Sequence, residues 1–306
     1  MSDQHNRAAA YLALVVVEAC FGSLPVLGKM VLAVMPAISL VGFRVGITAL
    51  ALAAFQIFRG RVWLRVKGDY WRLAVLSLFG VTFNQLLFVT GLSLTKAANT
   101  SLLSITIPIF ALSVGASLGV EKIRPLKALG IFIAAAGVIL LLDPRKVYFS
   151  SQTTVGDMLI IVNSLSYGIF VATSKEIVTR NGALRSMMWV FIFAAVICVP
   201  LVLWSSIPVA LNSVSATIWL LILYISIIAT AMPYLLNAWA LARVNPSTVA
   251  VFVYLQPLIG FSLVVIFLAE KVDFTFGVAA VLIFGGLYLV MRRHQSETKV
   301  GDMRIG

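Results

Sequence analysis

The chain has 306 residues, of which 61% are hydrophobic and 11% charged, and its mean hydropathy is +1.05. Soluble domains contain about 45–50% apolar and about 25% charged residues, so this composition excludes an ordinary soluble enzyme, a disordered chain and a secreted disulfide scaffold. Lysine and arginine outnumber aspartate and glutamate by 23 to 11; in a membrane protein such an excess belongs to cytoplasmic loops, and no nucleic-acid partner is expected.

Ten apolar stretches follow one another along the chain, separated by polar residues, glycine or proline. Each is close to the roughly 20 residues that a membrane-spanning helix needs. The predicted spans are residues 8–34, 37–58, 71–94, 97–120, 125–142, 155–179, 183–204, 216–241, 247–269 and 274–291. The pattern therefore predicts an all-α, polytopic membrane protein with ten transmembrane helices and no separate soluble domain.

The basic residues are distributed unevenly between the two sets of loops. If the N-terminus is cytoplasmic, 17 lysines and arginines fall on the inner side and 5 on the outer side, with Arg44 inside the second span. Loops rich in lysine and arginine remain in the cytoplasm. We therefore predict a multi-pass protein of the cell (inner) membrane with both termini cytoplasmic.

The chain also contains an internal repeat. The matching positions, at offsets of 149 and 146 residues, are Pro108 with Pro257, Glu121-Lys122 with Glu270-Lys271, Gly137 with Gly286, Phe21-Gly22 with Tyr167-Gly168, and Lys29 with Lys175. Each repeat has five predicted spans, and because five is odd the second repeat must enter the membrane from the opposite side. The sequence predicts two inverted five-helix repeats, residues 1–147 and residues 148–306 with the cytoplasmic tail, an arrangement used by transporters.

Motifs at equivalent places in the two halves resemble a known family. The first half reads Ala97-Ala98-Asn99-Thr100-Ser101-Leu102-Leu103-Ser104, then Pro108 and Glu121-Lys122; the second reads Pro246-Ser247-Thr248-Val249, then Gln256-Pro257 and Glu270-Lys271. With Phe21-Gly22 and Phe43-Arg44, these motifs resemble the EamA-type transporters of the drug/metabolite transporter superfamily. Phe21 and Tyr167 stand where that family often has tryptophan. The resemblance implies ten spans and transport of amino acids, other metabolites or drugs.

Glu18 is the one acidic residue deep inside a predicted span. It lies about 15 Å into the first helix, where a charge costs several kcal/mol unless it is protonated, paired or in contact with water. Two roles are open. Glu18 either couples transport to protons or binds a substrate ammonium group, or it is a protonated carboxyl that hydrogen-bonds a neighbouring helix.

Three basic residues inside spans are candidates for a charged gate or an anion contact: Lys29, Arg44 and Lys175. Lys29 and Arg44 can hold a substrate carboxylate, or extend along the helix toward the membrane surface. Because Lys29 has a repeat counterpart in Lys175, we interpret these lysines as structural or gating residues.

Amide and aromatic side chains recur inside the spans. Amides in lipid need hydrogen-bond partners, so they are expected to face the protein interior, as contacts between helices or with a ligand. Trp189 can be a cavity wall or face lipid. Together these residues suit a small amphipathic metabolite. The candidate cavity residues are Phe21, Asn84, Gln85, Asn163, Tyr167, Trp189, Tyr234, Asn237, Tyr254 and Gln256.

Several spans contain an interior proline, among them the spans with Pro25, Pro108, Pro233 and Pro257. An interior proline removes a backbone hydrogen bond and kinks a helix. Because Pro108 and Pro257 are repeat counterparts, we predict that they are hinges for alternating access.

These features favour a secondary active transporter that exports a small, amino-acid-like metabolite by proton-coupled alternating access. The alternatives are multidrug efflux of lipophilic cations, organic-anion exchange, and a passive pore or receptor. Both histidines lie in the tails, one acid lies deep inside the spans and no phosphate-binding loop motif is present, so we expect no enzyme activity, no metal and no cofactor. The expected partners are a small-molecule substrate, protons and the lipid bilayer; the oligomeric state is not predicted.

Overall fold

The computed structural model describes residues 2–142, 153–204, 214–268 and 274–292, which form α-helices joined by short turns and contain no β-strand. The helices are α1 (Ser2–Leu32), α2 (Ala37–Phe58), α3 (Gly68–Ser77), α4 (Phe83–Leu94), α5 (Ala97–Leu103), α6 (Thr106–Ser117), α7 (Pro125–Leu142), α8 (Thr154–Asn181), α9 (Ala183–Trp204), α10 (Ala216–Ser226), α11 (Met232–Leu241), α12 (Pro246–Val251), α13 (Leu255–Leu268) and α14 (Phe274–Arg292). The predicted all-α class is confirmed.

Within the described ranges, nine helical segments are long and apolar enough to cross a membrane. They are Asn6–Leu32, Ala37–Phe58, Gly68–Leu94, Asn99–Ser117, Pro125–Leu142, Thr154–Asn181, Ala183–Val202, Ala216–Leu241 and Phe274–Met291. A shorter apolar helix covers Pro246–Ile259, in the region predicted as the ninth span. The chain is thus a polytopic membrane protein, and the count of ten spans stays a prediction.

The predicted fourth and ninth spans are each broken into two helices. The first break separates α5 from α6, and the second is a 3₁₀ turn, Phe252–Tyr254, between α12 and α13. Pro108 and Pro257 are the third residues of α6 and α13. The backbone N–H groups in the first turn of a helix make no hydrogen bond within that helix, so a proline there costs none. Each of these prolines therefore lies at the start of a new helix, just after the break. By contrast, α1 continues through Pro25.

Two further irregular turns occupy equivalent positions in the repeats. Leu78–Thr82 and Ile227–Ala231 are π-helical turns, and they lie 149 residues apart, the offset found in the sequence. The first joins α3 to α4 and the second joins α10 to α11, where Pro233 lies in the first turn. A π turn leaves backbone carbonyls outside the regular hydrogen-bond pattern of the helix, and both repeats carry this irregularity at the same place.

Helices α7 and α14, which are repeat counterparts, pack closely and antiparallel. A Cβ atom on Gly130 would lie 2.8 Å from the carbonyl oxygen of Gly286, and one on Gly137 would lie 2.9 Å from that of Ala279. Gly137 and Gly286 are counterparts at offset 149, as are Gly130 and Ala279. The contact is therefore reciprocal, as at a two-fold interface. Antiparallel packing of equivalent helices is the geometry expected of inverted repeats.

Glu121 ties the two repeats together at one end. Its carboxylate forms an ion pair with Lys127 and accepts hydrogen bonds from the backbone N–H of Ser247 at 3.2 Å and its hydroxyl at 2.7 Å. Ser247 is in the first turn of α12, where a carboxylate satisfies free N–H groups and complements the helix dipole. The counterpart pair Glu270-Lys271 lies outside the described residues.

Candidate functional site

A small cavity of about 70 Å³ lies between the repeats. Residues of α1, α2, α4 and the α5–α6 segment line it from the first repeat, and residues of α8 and α13 line it from the second. The sequence-predicted residues on its wall are Phe21, Arg44, Asn84, Gln85, Asn163, Tyr167 and Gln256. Phe21 and Gln256, which are 235 positions apart in the chain, are thus brought to one cavity.

Amide side chains and a tyrosine hydroxyl form a continuous network beside this cavity. The Asn84 amide donates to Asn163 Oδ1 at 2.7 Å. The Tyr234 hydroxyl lies 2.8 Å from the Gly80 carbonyl oxygen and 3.0 Å from Asn84 Oδ1, and accepts a hydrogen bond from Gln85 Nε2 at 3.2 Å. Gly80 is in the first π turn. The network therefore holds the two amides of α4 in fixed orientations on the wall.

Aromatic rings surround Tyr234. Phe21 is edge-on to it at 6.0 Å, Phe191 at 5.0 Å and Tyr167 at 6.5 Å between ring centroids. Asn237 donates to the Tyr167 hydroxyl at 2.8 Å, so this predicted residue supports a lining residue from behind. Phe191 was not predicted, because one phenylalanine in an apolar span has no distinguishing sequence signal.

Glu18 is buried, with 1% of its surface exposed. Its Oε2 accepts a hydrogen bond from Gln256 Nε2 at 2.6 Å. Gln256 lines the cavity, so the carboxyl is joined to the cavity wall through an amide of the opposite repeat. A carboxyl in this position can gain or lose a proton, or exchange its amide partner for an ammonium group.

Arg44 is fully buried on the cavity wall. Its Nε donates to Thr230 Oγ1 at 2.5 Å and its Nη2 to the Ala229 carbonyl oxygen at 3.3 Å. Both acceptors belong to the second π turn. Nη1 is buried without a hydrogen-bond partner among the described residues. Since a buried donor without a partner is costly, this nitrogen is suited to an anionic ligand.

Several wall residues were missed by the sequence reasoning. They are Leu24, Pro25, Phe88, Thr100, Ser101, Ser104 and Ile107. The three hydroxyl residues lie at α5 and at the break before α6. In the sequence these residues form a polar run inside an apolar span. That pattern indicates a family motif but does not by itself show that the residues line a cavity.

Other predicted site residues lie away from the cavity wall. Trp189 donates through its indole N–H to the Val62 carbonyl oxygen at 3.0 Å and packs edge-on against Tyr70 at 4.9 Å. The Tyr254 hydroxyl donates to the Ile105 carbonyl oxygen at 3.0 Å, within the α5–α6 break. Trp189 therefore anchors the α2–α3 connection, and Tyr254 links the two helix breaks.

The predicted gate lysines make equivalent hydrogen bonds in the two repeats. Lys29 Nζ donates to the Thr95 carbonyl oxygen at 2.6 Å, and Lys175 Nζ donates to the Val244 carbonyl oxygen at 2.8 Å. Thr95 and Val244 are themselves counterparts at offset 149. Thr95 is the C-cap of α4 and Val244 follows the end of α11. Each lysine thus satisfies a carbonyl at or just past a helix C-terminus, where a cation also complements the helix dipole.

Comparison with known proteins assigns the chain to a family. The sequence profile of the EamA-like transporter family matches it twice, at residues 8–143 and 154–292. An uncharacterized transporter of Archaeoglobus fulgidus is 29% identical over 244 residues, covering 78% of this chain and 83% of that protein. The uncharacterized transporter YetK of Bacillus subtilis is 24% identical over 297 residues, covering 95% and 90%.

A protein of known crystal structure has the same fold, with a TM-score of 0.75 at 19% identity over 93% of this chain and 96% of that one. The relatives' descriptions point to transport rather than catalysis. Because the family profile covers both halves, the two motif-bearing stretches are explained together. The chain belongs to the EamA-like transporter family.

Proposed function

We propose that this transporter is a secondary active carrier that exports a small, amino-acid-like metabolite in exchange for protons. The observation that carries the proposal is a carboxyl, Glu18, hydrogen-bonded to a residue of the cavity wall, and a wall guanidinium, Arg44, whose Nη1 has no hydrogen-bond partner among the described residues. A zwitterion presents the complementary charges. An ammonium group would replace Gln256 as the partner of Glu18, and a carboxylate would occupy Arg44 Nη1.

The two charged groups belong to the first repeat alone. At offset 146 their counterparts are Ser164 and Val190, which carry no charge. The repeats therefore supply a near-symmetric scaffold, while the chemistry of recognition is asymmetric. This is the arrangement expected when one substrate molecule binds in one orientation between two inverted halves.

Substrate entry requires helix movement, because about 70 Å³ is less than the volume of an amino acid. The helix breaks next to Pro108 and Pro257 and the two π turns occur at equivalent positions in the repeats. Irregular backbone beside the cavity is where helices can tilt with little loss of hydrogen bonding. We infer that these segments are the hinges of alternating access.

The test uses the purified full chain in proteoliposomes with an imposed pH gradient and a panel of labelled amino acids. Glu18→Gln is expected to lose gradient-driven flux at least tenfold and to bind the substrate more weakly, measured by thermal shift, because an amide cannot pair with the ammonium group. Glu176→Gln changes an exposed carboxylate of α8 and serves as the matched control. Full proton-driven flux by Glu18→Gln would contradict proton coupling through this residue.

Efflux of lipophilic cations is the second candidate, favoured by the aromatic rings around Tyr234 next to a carboxyl. Aromatic faces attract cations. Tetraphenylphosphonium added to the same proteoliposomes separates the two proposals. Proton-driven flux of that cation without flux of any amino acid would support the second and overturn the first.

A further inference from the structure

A second, larger cleft of about 760 Å³ lies apart from the inter-repeat cavity. It is bounded by the N-terminal half of α1, the C-terminal end of α2, the α8–α9 junction and α11. None of its wall residues lines the inter-repeat cavity. It therefore needs an explanation of its own.

The polar end of this cleft is strongly basic. Arg59, Arg61 and Arg185 line it, and no aspartate or glutamate is among the described residues of its wall. Arg185 Nε is buried and has no hydrogen-bond partner in the described part of the chain. Arg59 lies over the Phe55 ring at 5.7 Å, so its guanidinium is held at the rim. Three cations without a carboxylate in the wall form a site for an anion.

Apart from Gln56 and Asn181, the remainder of the wall is apolar, and it is open. Leu12 is 67% exposed, Val16 39% and Phe55 51%, and Leu235 and Leu236 complete this side. In a membrane-spanning chain, side chains exposed at this depth face lipid tails. A free inorganic anion would use only the basic end of such a cleft, whereas a lipid would use both ends.

The basic end lies on the side predicted to be cytoplasmic, where the short loops carry most of the lysines and arginines. Anionic phospholipids of that leaflet attract arginines close to the membrane surface, and basic pockets between transmembrane helices hold their headgroups. The cleft has arginines near the membrane surface and aliphatic side chains deeper in the membrane. A phospholipid has the matching arrangement, with its charged headgroup at the surface and its acyl chains below.

We propose that this cleft binds an anionic phospholipid, with the headgroup phosphate on Arg59, Arg61 and Arg185 and an acyl chain along Leu12, Val16 and Phe55. The phosphate would satisfy the buried Nε of Arg185. A guanidinium and a phosphate form charge-assisted, bidentate hydrogen bonds. The bound lipid would then cross-link α1, α2 and α9 near the membrane surface without entering the inter-repeat cavity.

The test measures binding of phosphatidylglycerol and of phosphatidylcholine to the purified full chain by native mass spectrometry. Wild type is expected to prefer phosphatidylglycerol by about tenfold or more. The triple variant Arg59→Gln, Arg61→Gln, Arg185→Gln should lose this preference. The matched control is Arg65→Gln, Lys67→Gln, Lys122→Gln, which removes the same charge from exposed residues outside the cleft, and it should keep the preference.

Three results would overturn the proposal: an unchanged preference in the triple variant, an equal loss in the control, or displacement of phosphatidylglycerol by millimolar inorganic phosphate, which would identify a free-anion site instead. If the triple variant does not fold, Arg185→Gln alone is compared with Arg185→Lys. A phosphate site of this geometry requires Arg185→Gln to bind phosphatidylglycerol at least threefold more weakly than Arg185→Lys does.

Discussion

Arg44 shows how one side chain depends on a distant backbone irregularity. A charged residue in the membrane interior persists where other protein groups satisfy it, and two of its N–H groups are satisfied by Ala229 and Thr230. Both acceptors lie in the π turn Ile227–Ala231, and the Thr230 hydroxyl itself donates to the Ile225 carbonyl oxygen at 2.7 Å. The π turn of one repeat therefore orients the arginine of the other.

Thr230→Val removes the hydroxyl that accepts the hydrogen bond from Arg44 and keeps the shape of the side chain. We expect the free energy of unfolding to fall by about 1–2 kcal/mol, because Arg44 Nε loses its acceptor in a buried site. Thr230→Ser should restore most of it. Thr173→Val is the control, since the Thr173 hydroxyl donates only to the Ile169 carbonyl oxygen of its own helix.

The measurement is reversible unfolding in mixed micelles. Equal losses in Thr230→Val and Thr173→Val would show that the bond between Thr230 and Arg44 adds nothing beyond the local helix. In that case the proposed orientation of Arg44 by the π turn would be wrong.

The contact between α7 and α14 depends on glycine at the element scale. Gly286 faces α7 so closely that a Cβ atom would collide with the Gly130 carbonyl oxygen, whereas a Cβ atom on neighbouring Gly285 meets nothing within 4 Å. Small residues at such faces let helix backbones approach in a membrane, where packing drives association. One face of α14 is therefore fixed by its partner and the adjacent position is free.

Gly286→Ala should lower the free energy of unfolding by about 1–3 kcal/mol because it forces the helices apart. Gly285→Ala should leave it unchanged or raise it by up to about 1 kcal/mol, since alanine favours the helix. Thermal unfolding of the two purified variants gives the comparison. A neutral Gly286→Ala would mean that α7 and α14 are not in tight contact.

Lys29 and Lys175 are predicted to lie near opposite faces of the membrane, but they make the same kind of contact. Each donates a hydrogen bond to a backbone carbonyl oxygen near the end of another helix. Lys29→Met and Lys175→Met should each reduce the free energy of unfolding, by about 1 kcal/mol and by similar amounts. Thermal unfolding measures both. If Lys29→Met leaves stability unchanged but weakens substrate binding, Lys29 contacts an anion and is not structural.

At the scale of the whole molecule, the inverted arrangement makes a topological prediction. In a chain whose Cys20 and Cys198 are both replaced by alanine, a single cysteine at Ser215 should react with a membrane-impermeant maleimide in intact cells. Single cysteines at Lys67 or Lys299 should react only after permeabilisation, because basic segments stay in the cytoplasm. The readout is the mass of the labelled protein.

Labelling of Lys299→Cys from outside would place the C-terminus on the opposite side from the prediction. Two halves of five spans each make ten spans, which place both termini on the same side of the membrane. An N-terminus and a C-terminus on different sides would therefore contradict the inverted-repeat arrangement.

The breaks in the fourth and ninth predicted spans could not be predicted from the local sequence. Residues 97–120 and 247–269 have the hydropathy of uninterrupted helices, and their prolines were interpreted as kinks, yet each region is two helices with the proline in the first turn of the second. Hydropathy measures transfer to lipid and is blind to whether a backbone N–H is satisfied along the helix or by a neighbour.

The sequence by itself determined that this is a membrane protein, that its fold is all-α and that it contains an internal repeat. These conclusions depend on the length of apolar stretches, the positions of charged residues and the spacing of motifs, all of which can be read along the chain. The convergence of Arg44, Asn84 and Gln256 on one cavity, with Glu18 hydrogen-bonded to Gln256, was decided only by the tertiary structure, as was the separation of Trp189 from them. All are polar or aromatic residues in apolar spans, alike by pattern. Which ones share a cavity depends on the rotation and tilt of each helix against its neighbours, and helices apolar on every side carry no periodic signal of that rotation.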